Sequence, residues 1–433
     1  MTKNIKFLYE NKISFIFFVI FSGFNIYYFT NNFFSYFFNE NGNADEYYEN
    51  TLYFISDFSL NKIFYTTSQP YIFISSVVNI FLDCPKMATR LVSLICCLSL
   101  LFYFIKRIYS DNVTFIENTY KISLFICAIF ITNQMYIGTS DFLSFVFIVP
   151  PFLIIIENFR FGRFNLKVKQ SIIIGMFFAL SVATRPTSIV LLVSLYATFF
   201  LMGYIRAIFC KENYIILISS FIVFFMINFL PIIQQNRIIL DVKDIPKETG
   251  VTWFQRNYLM AKYWDSNKIP LTKWISTQEV IDFKKENPKY VFPKNQIDLL
   301  IKEPGLYFRQ MVRMFIKAFY TSYRFMYVLF LFSFLSFIKF RKFEMITNIN
   351  EKFKNEIFKN KFIVLFHIIC ILLFSFLAVK LFEFRWVIPI LILYVYFSIK
   401  YLSEFPKKMR FLVYNVSFIS GIVMYIFHYM KAH

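Results

Sequence analysis

Two neighbouring carboxylates, Asp45 and Glu46, follow the first apolar stretch of this chain and are set against Tyr47 and Tyr48. Adjacent acids are costly to desolvate, so a pair this close to an apolar run faces water or a polar cleft. A third acid, Asp141, stands between Ser140 and the apolar run that opens at Phe142, and Arg185 sits in the turn Thr184-Arg185-Pro186-Thr187. Lys380, Glu383 and Arg385 crowd a short stretch before Trp386. A carboxylate within reach of a hydroxyl can take its proton as that oxygen attacks, and cationic side chains stabilise a leaving group that departs as an anion. The chemistry such a set would serve is transfer of a sugar from a lipid phosphate to a hydroxyl. The leaving phosphate needs Arg or Lys rather than a proton, and a single in-line displacement assisted by one base inverts the anomeric centre.

Each of these residues also has a plainer reading. The Asp-Glu pair reads as a solvated patch, and Asp141 as an N-cap for a helix that starts at Phe142. Pro186 suits a first helical position that closes a hairpin after Arg185. Lys380 and Arg385 suit interface anchors that snorkel beside Trp386. What favours the chemical reading is that the chain's topology delivers all of them to one side.

That topology follows from composition. The 433 residues are 58% hydrophobic and 22% aromatic, with a mean hydropathy of +0.55, against about 45–50% apolar residues in a soluble domain. The excess comes in long runs, which is the mark of an all-α integral membrane protein. The formal charge of +20 lies mostly between those runs, as positively charged inner loops require, and so gives no reason to expect a nucleic-acid partner. Six scattered cysteines and three histidines show no metal-ligand spacing. Lys3, Lys6 and Lys12 place the N-terminus inside, ahead of a first span from Ile13 to Phe29. Counting onward predicts eleven spans, a C-terminus outside, and an interfacial helix over 71–82, which is too short for the about 20 residues that cross a bilayer. The chain divides into a transmembrane module at 1–233 carrying the catalytic outer loops, an outer subdomain at 234–322 and closing transmembrane helices at 323–433. Within the outer segment, Tyr307 to Tyr320 reads as an amphipathic helix, separate from a span over Phe325 to Ile338.

Taken in order, several short stretches resemble the GT-C superfamily of polyprenyl-phosphate-sugar glycosyltransferases. They are Asp45-Glu46-Tyr47-Tyr48, Thr67-Ser68-Gln69-Pro70-Tyr71-Ile72-Phe73, Thr89-Arg90-Leu91-Val92-Ser93-Leu94, Gly138-Thr139-Ser140-Asp141 and Ala183-Thr184-Arg185-Pro186-Thr187. The pattern looks like the protein O-mannosyltransferase and aminoarabinose-transferase branch, and like bacterial transferases that change O-antigen serotype. It covers roughly the first 200 residues, with Glu383-Phe384-Arg385-Trp386-Val387-Ile388-Pro389 further on. Where such enzymes carry Pro-Pro or His-Pro before the interfacial helix, this chain has Ser68-Gln69-Pro70.

The resemblance implies a GT-C-like bundle with outer-face interfacial helices. It makes Asp45 the catalytic base, with Glu46 beside it, and places Asp141, Arg185, Lys380, Arg385, Tyr47 and Tyr48 around the substrates. It implies a polyprenyl-phosphate-sugar donor and a lipid-linked glycan such as O-antigen, or lipid A, as acceptor. Some members bind a divalent metal ion near the donor phosphate, but its ligands cannot be traced in this sequence. The bacterial inner membrane is the expected location, and the endoplasmic reticulum, whose lipid-linked-oligosaccharide glucosyltransferase shares several of these motifs, is the alternative. Two other functions stay open. An O-antigen polymerase would use outer-loop arginines such as Arg237, Arg256, Arg309 and Arg313, and a lipid-linked-oligosaccharide flippase would place charges inside its spans.

Overall fold

Apolar runs bounded by basic clusters become helices here, and little else forms. A computed structural model describes residues 12–37, 68–110, 113–130, 138–160, 163–235, 250–270, 275–337, 351–376 and 384–432. Before the outer segment come α1 (Lys12–Phe37), α2 (Gln69–Leu82), α3 (Pro85–Ile108), α4 (Phe115–Phe130) and α5 (Asp141–Asn158). After these come α6 (Val168–Thr184), α7 (Ser188–Leu201), the single turn α8 (Ile205–Ile208) and α9 (Lys211–Gln235). The described strands are a two-residue pair, β1 (Phe159–Arg160) and β2 (Arg163–Phe164), joined antiparallel at the end of α5.

Three short helices make up the described part of the polar segment: α10 (Trp253–Asp265), α11 (Thr277–Glu286) and α12 (Gln296–Lys302). Their starts are set by local chemistry. The Thr252 and Ser276 hydroxyls each accept from the backbone N–H three residues on, their own backbone N–H groups donate back to the side-chain oxygens of Gln255 and Glu279, and Asn295 caps α12. Then follow α13 (Pro304–Phe334), α14 (Glu351–Phe376), α15 (Ile388–Ser403) and α16 (Lys407–Ala432).

Among the described residues, five helices are long and apolar enough to cross a membrane: α1, α3, α5, α9 and α14. α2, α6, α7, α15 and the end of α13 form shorter apolar helices. All eleven expected spans overlap a helix, but five meet the length and composition of a span among the described residues. The amphipathic stretch 307–320 and the apolar stretch from Phe325 are not separate. Both belong to α13, and the expected boundary at 322 falls inside this helix.

The outer surface of the bundle is apolar. Phe81 is 82% exposed and Met226 70%, with Phe102 and Phe221 similarly bare. Water penalises such a surface and hydrocarbon does not. α2 shows the inversion within one element: it buries Tyr71, Ile72, Ser75, Ser76 and Asn79 while Phe73, Val77, Ile80 and Phe81 point out. α15 is covered on all sides except near its end, packing against α3, α4, α5, α13 and α14, which is why its sequence is apolar around the whole circumference. α3, α5 and α15 thus run side by side through the middle, and their starts meet at one end of the bundle.

Candidate functional site

The meeting of those helix starts is built around Asp141. This residue is the first of α5 rather than its cap, because the capping position falls on Ser140, whose side chain makes no capping bond. A carboxylate suits the first turn, where unpaired N–H groups carry partial positive charge. Asp141 has no solvent exposure, so its charge requires partners. Thr139 Oγ1 donates to Oδ2 at 2.7 Å. The Nη2 of Arg185 lies 2.7 Å from Oδ1, and the Nη1 of Arg385 donates to Oδ2 at 3.3 Å.

The two arginines arrive by different routes. Arg185 terminates α6, and its carbonyl accepts from Ser188 N at 2.9 Å to form the turn into α7. α7 begins at Ser188, so Pro186 lies within that turn and not at the first helical position. Arg385 lies in a 3₁₀ turn, Phe384–Trp386, just before α15. With a side chain only 22% exposed and paired to a buried carboxylate, Arg385 is not a snorkelling anchor. Trp386 packs its ring against Phe374 at 5.3 Å between centroids.

Hydroxyl groups connect this ion triad to α2 and α3. Ser68 Oγ donates to Ser140 Oγ at 3.0 Å, and Ser93 Oγ donates to the Thr139 carbonyl at 2.8 Å. Tyr71 donates to the Thr89 carbonyl at 2.6 Å and lies 3.0 Å from Ser93 Oγ. Ser68 adopts a left-handed backbone with φ of 73°, unusual for a residue with a side chain, and its bond to Ser140 helps hold it there. Arg90, buried in α3, donates to the Phe37 carbonyl at the end of α1. One turn deeper, the hydroxyls of Ser144, Ser181 and Ser188 lie 2.9–3.0 Å from one another and close a ring between α5, α6 and α7.

Of the residues singled out in the sequence, the structure brings together Asp141, Arg185 and Arg385. Asp45, Glu46, Tyr47, Tyr48 and Lys380 lie outside the described residues. The serine ring was not anticipated, although its signal is present as small polar residues one helical turn from Asp141 and from Arg185 in otherwise apolar runs. Among the described residues, no three His, Cys, Asp or Glu side chains gather closely enough to hold a metal ion. A carboxylate already engaged by two guanidinium groups and a hydroxyl is not a divalent-cation ligand set, so the described residues do not fit the metal that the resemblance allows. What the triad can do is fix two guanidinium groups at one end of an apolar bundle, with Asp141 as the group that aligns them.

No known protein family, curated protein or solved structure matches this chain.

Proposed function

We propose that this protein is a membrane glycosyltransferase. It takes a monosaccharide from a polyprenyl-phosphate donor and transfers it, with inversion, to a lipid-linked glycan such as O-antigen or to lipid A. The reaction takes place on the outer face of a bacterial inner membrane. The observation that carries this reading is the convergence of Arg185 and Arg385 on the buried Asp141, at the mouth of helices whose outer surfaces are apolar. A polyprenyl-phosphate leaving group is anionic and membrane-bound, and needs pre-oriented guanidinium charge beside a lipid-accessible surface. In this reading Asp45 takes the acceptor proton, Glu46 supports it, and Tyr47, Tyr48 and Lys380 complete the substrate surroundings.

Asp45→Asn tests the assignment in membranes supplied with a polyprenyl-phosphate-linked sugar. Transfer should fall by about 10²–10⁴-fold, the usual contribution of a general base, while the protein still accumulates. Unchanged transfer removes Asp45 from the mechanism. Arg385→Gln should chiefly weaken use of the donor. The polymerase reading is disfavoured by one contact: Arg309, among its candidate arginines, is engaged by Asp265 through two hydrogen bonds of 2.7 and 2.9 Å.

A further inference from the structure

The opposite end of the bundle carries a second set of charges that this function does not use. Glu117, in the first turn of α4, meets Arg410 of α16 through contacts of 2.8 and 3.2 Å. The same carboxylate is also the ion-pair partner of Lys121, one turn on, at 3.7 Å. Glu117 and Lys121 are each 3% exposed and Arg410 is 18% exposed, so one buried carboxylate faces one buried and one half-buried cation. Beside it, Glu157 near the end of α5 pairs with Arg107 of α3 at 2.7 Å and accepts from Tyr396 of α15 at 2.8 Å.

Between these two groups stands Lys400, at the end of α15. Its ammonium lies 5.7 Å from the centre of the Tyr396 ring, and among the described residues no carboxylate comes within ion-pair distance of it. Arg107, Glu157, Glu356, Lys359 and Lys121 are its electrostatic neighbours, and Glu356 is already paired with Lys359 at 2.8 Å. Across this described cluster three carboxylates therefore face five cations. A surplus of that size, on side chains that are buried or partly buried, favours a bound anion.

We infer that Lys400, with Lys121 and Arg107 behind it, forms a binding site for the phosphate of an anionic membrane lipid, separate from the Asp141 site. The surroundings identify the source of the phosphate. Phe102 of α3, Phe115 at the start of α4 and Leu412 in the second turn of α16 are all largely exposed around this end of the bundle. Exposed apolar side chains about a cationic cluster match a headgroup whose chains lie along the helices better than a free ion arriving from water. Bound there, the phosphate joins α3, α4, α15 and α16 through a shared counter-charge.

The test uses the full chain purified in detergent, with thermal unfolding and native mass spectrometry as readouts. Its probes are short-chain phosphatidic acid, diacylglycerol with the same chains, and inorganic phosphate. Phosphatidic acid should raise the unfolding temperature and remain bound, and the other two should do neither at equal concentration. Lys400→Gln should weaken that binding about tenfold or more, the size of one lost charge-assisted hydrogen bond. Lys400→Arg should retain binding, and Lys106→Gln, an exposed residue at the same end, should change nothing. Equal stabilisation by inorganic phosphate overturns the lipid as the source, and equal stabilisation by diacylglycerol overturns phosphate recognition. Unaltered binding in Lys400→Gln overturns the site, as it would if these lysines stood neutral in the native protein.

Discussion

At Asp141, burial and charge together set a strict requirement. A carboxylate removed from water persists only while its partners remain, and removing one side of such a pair costs about 3–5 kcal/mol. Arg185 and Arg385 are 13% and 22% exposed, too sheltered for water to replace the lost partner fully. Asp141→Ala should therefore destabilise the protein by about that amount in detergent unfolding measurements. Ser144→Ala in the hydroxyl ring should cost only about 1 kcal/mol, because Ser181 and Ser188 remain paired. The residues of the ion triad were legible in the sequence as charges at the edges of apolar runs. Their pairing was not, since Arg385 reaches Asp141 across 244 residues and no local pattern records that contact.

Helices were legible wherever an apolar run was long, because hydrocarbon leaves the backbone no partner but itself. Sequence patterning failed at α13, where Tyr307 to Tyr320 read as an amphipathic helix apart from the span after it. Charge changes which solvent a turn faces but does not interrupt the backbone bonds, so α13 continues unbroken. Close crossings were also invisible beforehand. α6 meets α9 at Gly175, where a Cβ would stand 2.0 Å from Ser219 Oγ and 2.4 Å from the Ile216 carbonyl oxygen. Ser220 Oγ also donates to the Gly175 carbonyl at 2.9 Å. Gly175→Ala should force the helices apart at a cost of about 1–3 kcal/mol, seen as a lower unfolding temperature. Adding Ser219→Ala should not restore it fully, because the backbone oxygen remains.

The contact between α10 and α13 carries a pH dependence. The hydrogen bond from Arg309 holds the Asp265 carboxyl below its usual range. A depressed carboxylate stabilises the fold at pH values above its unfolded pKa, and that contribution is lost as pH falls through the folded value. Hydrogen-exchange protection in α10, taken relative to the intrinsic exchange rate at each pH, should therefore stay constant from neutral pH down to the ordinary carboxylate range and fall below it. Asp265→Asn should remove that acid response.

Over the whole molecule, polar groups form two layers joined by the same helices. α3 carries Arg90 near one end and Arg107 near the other, α5 carries Asp141 and Glu157, and α15 runs from the Arg385 turn to Lys400. At 1.5 Å per residue, Asp141 and Glu157 stand about 24 Å apart along α5, close to the about 30 Å of a bilayer's hydrocarbon. A bilayer set across these helices would put the apolar surface between the layers against lipid and the layers in opposite compartments. Basic residues cluster at the Arg107 end, and the positive-inside rule predicts that this end lies inside. A reporter active only outside should be silent when fused after Ser110 and active after Gln235, where α9 has returned to the Asp141 end. The same sign at both positions would mean that the two layers do not straddle a membrane, and the proposed donor site and the proposed lipid-phosphate site would lose their separate compartments together.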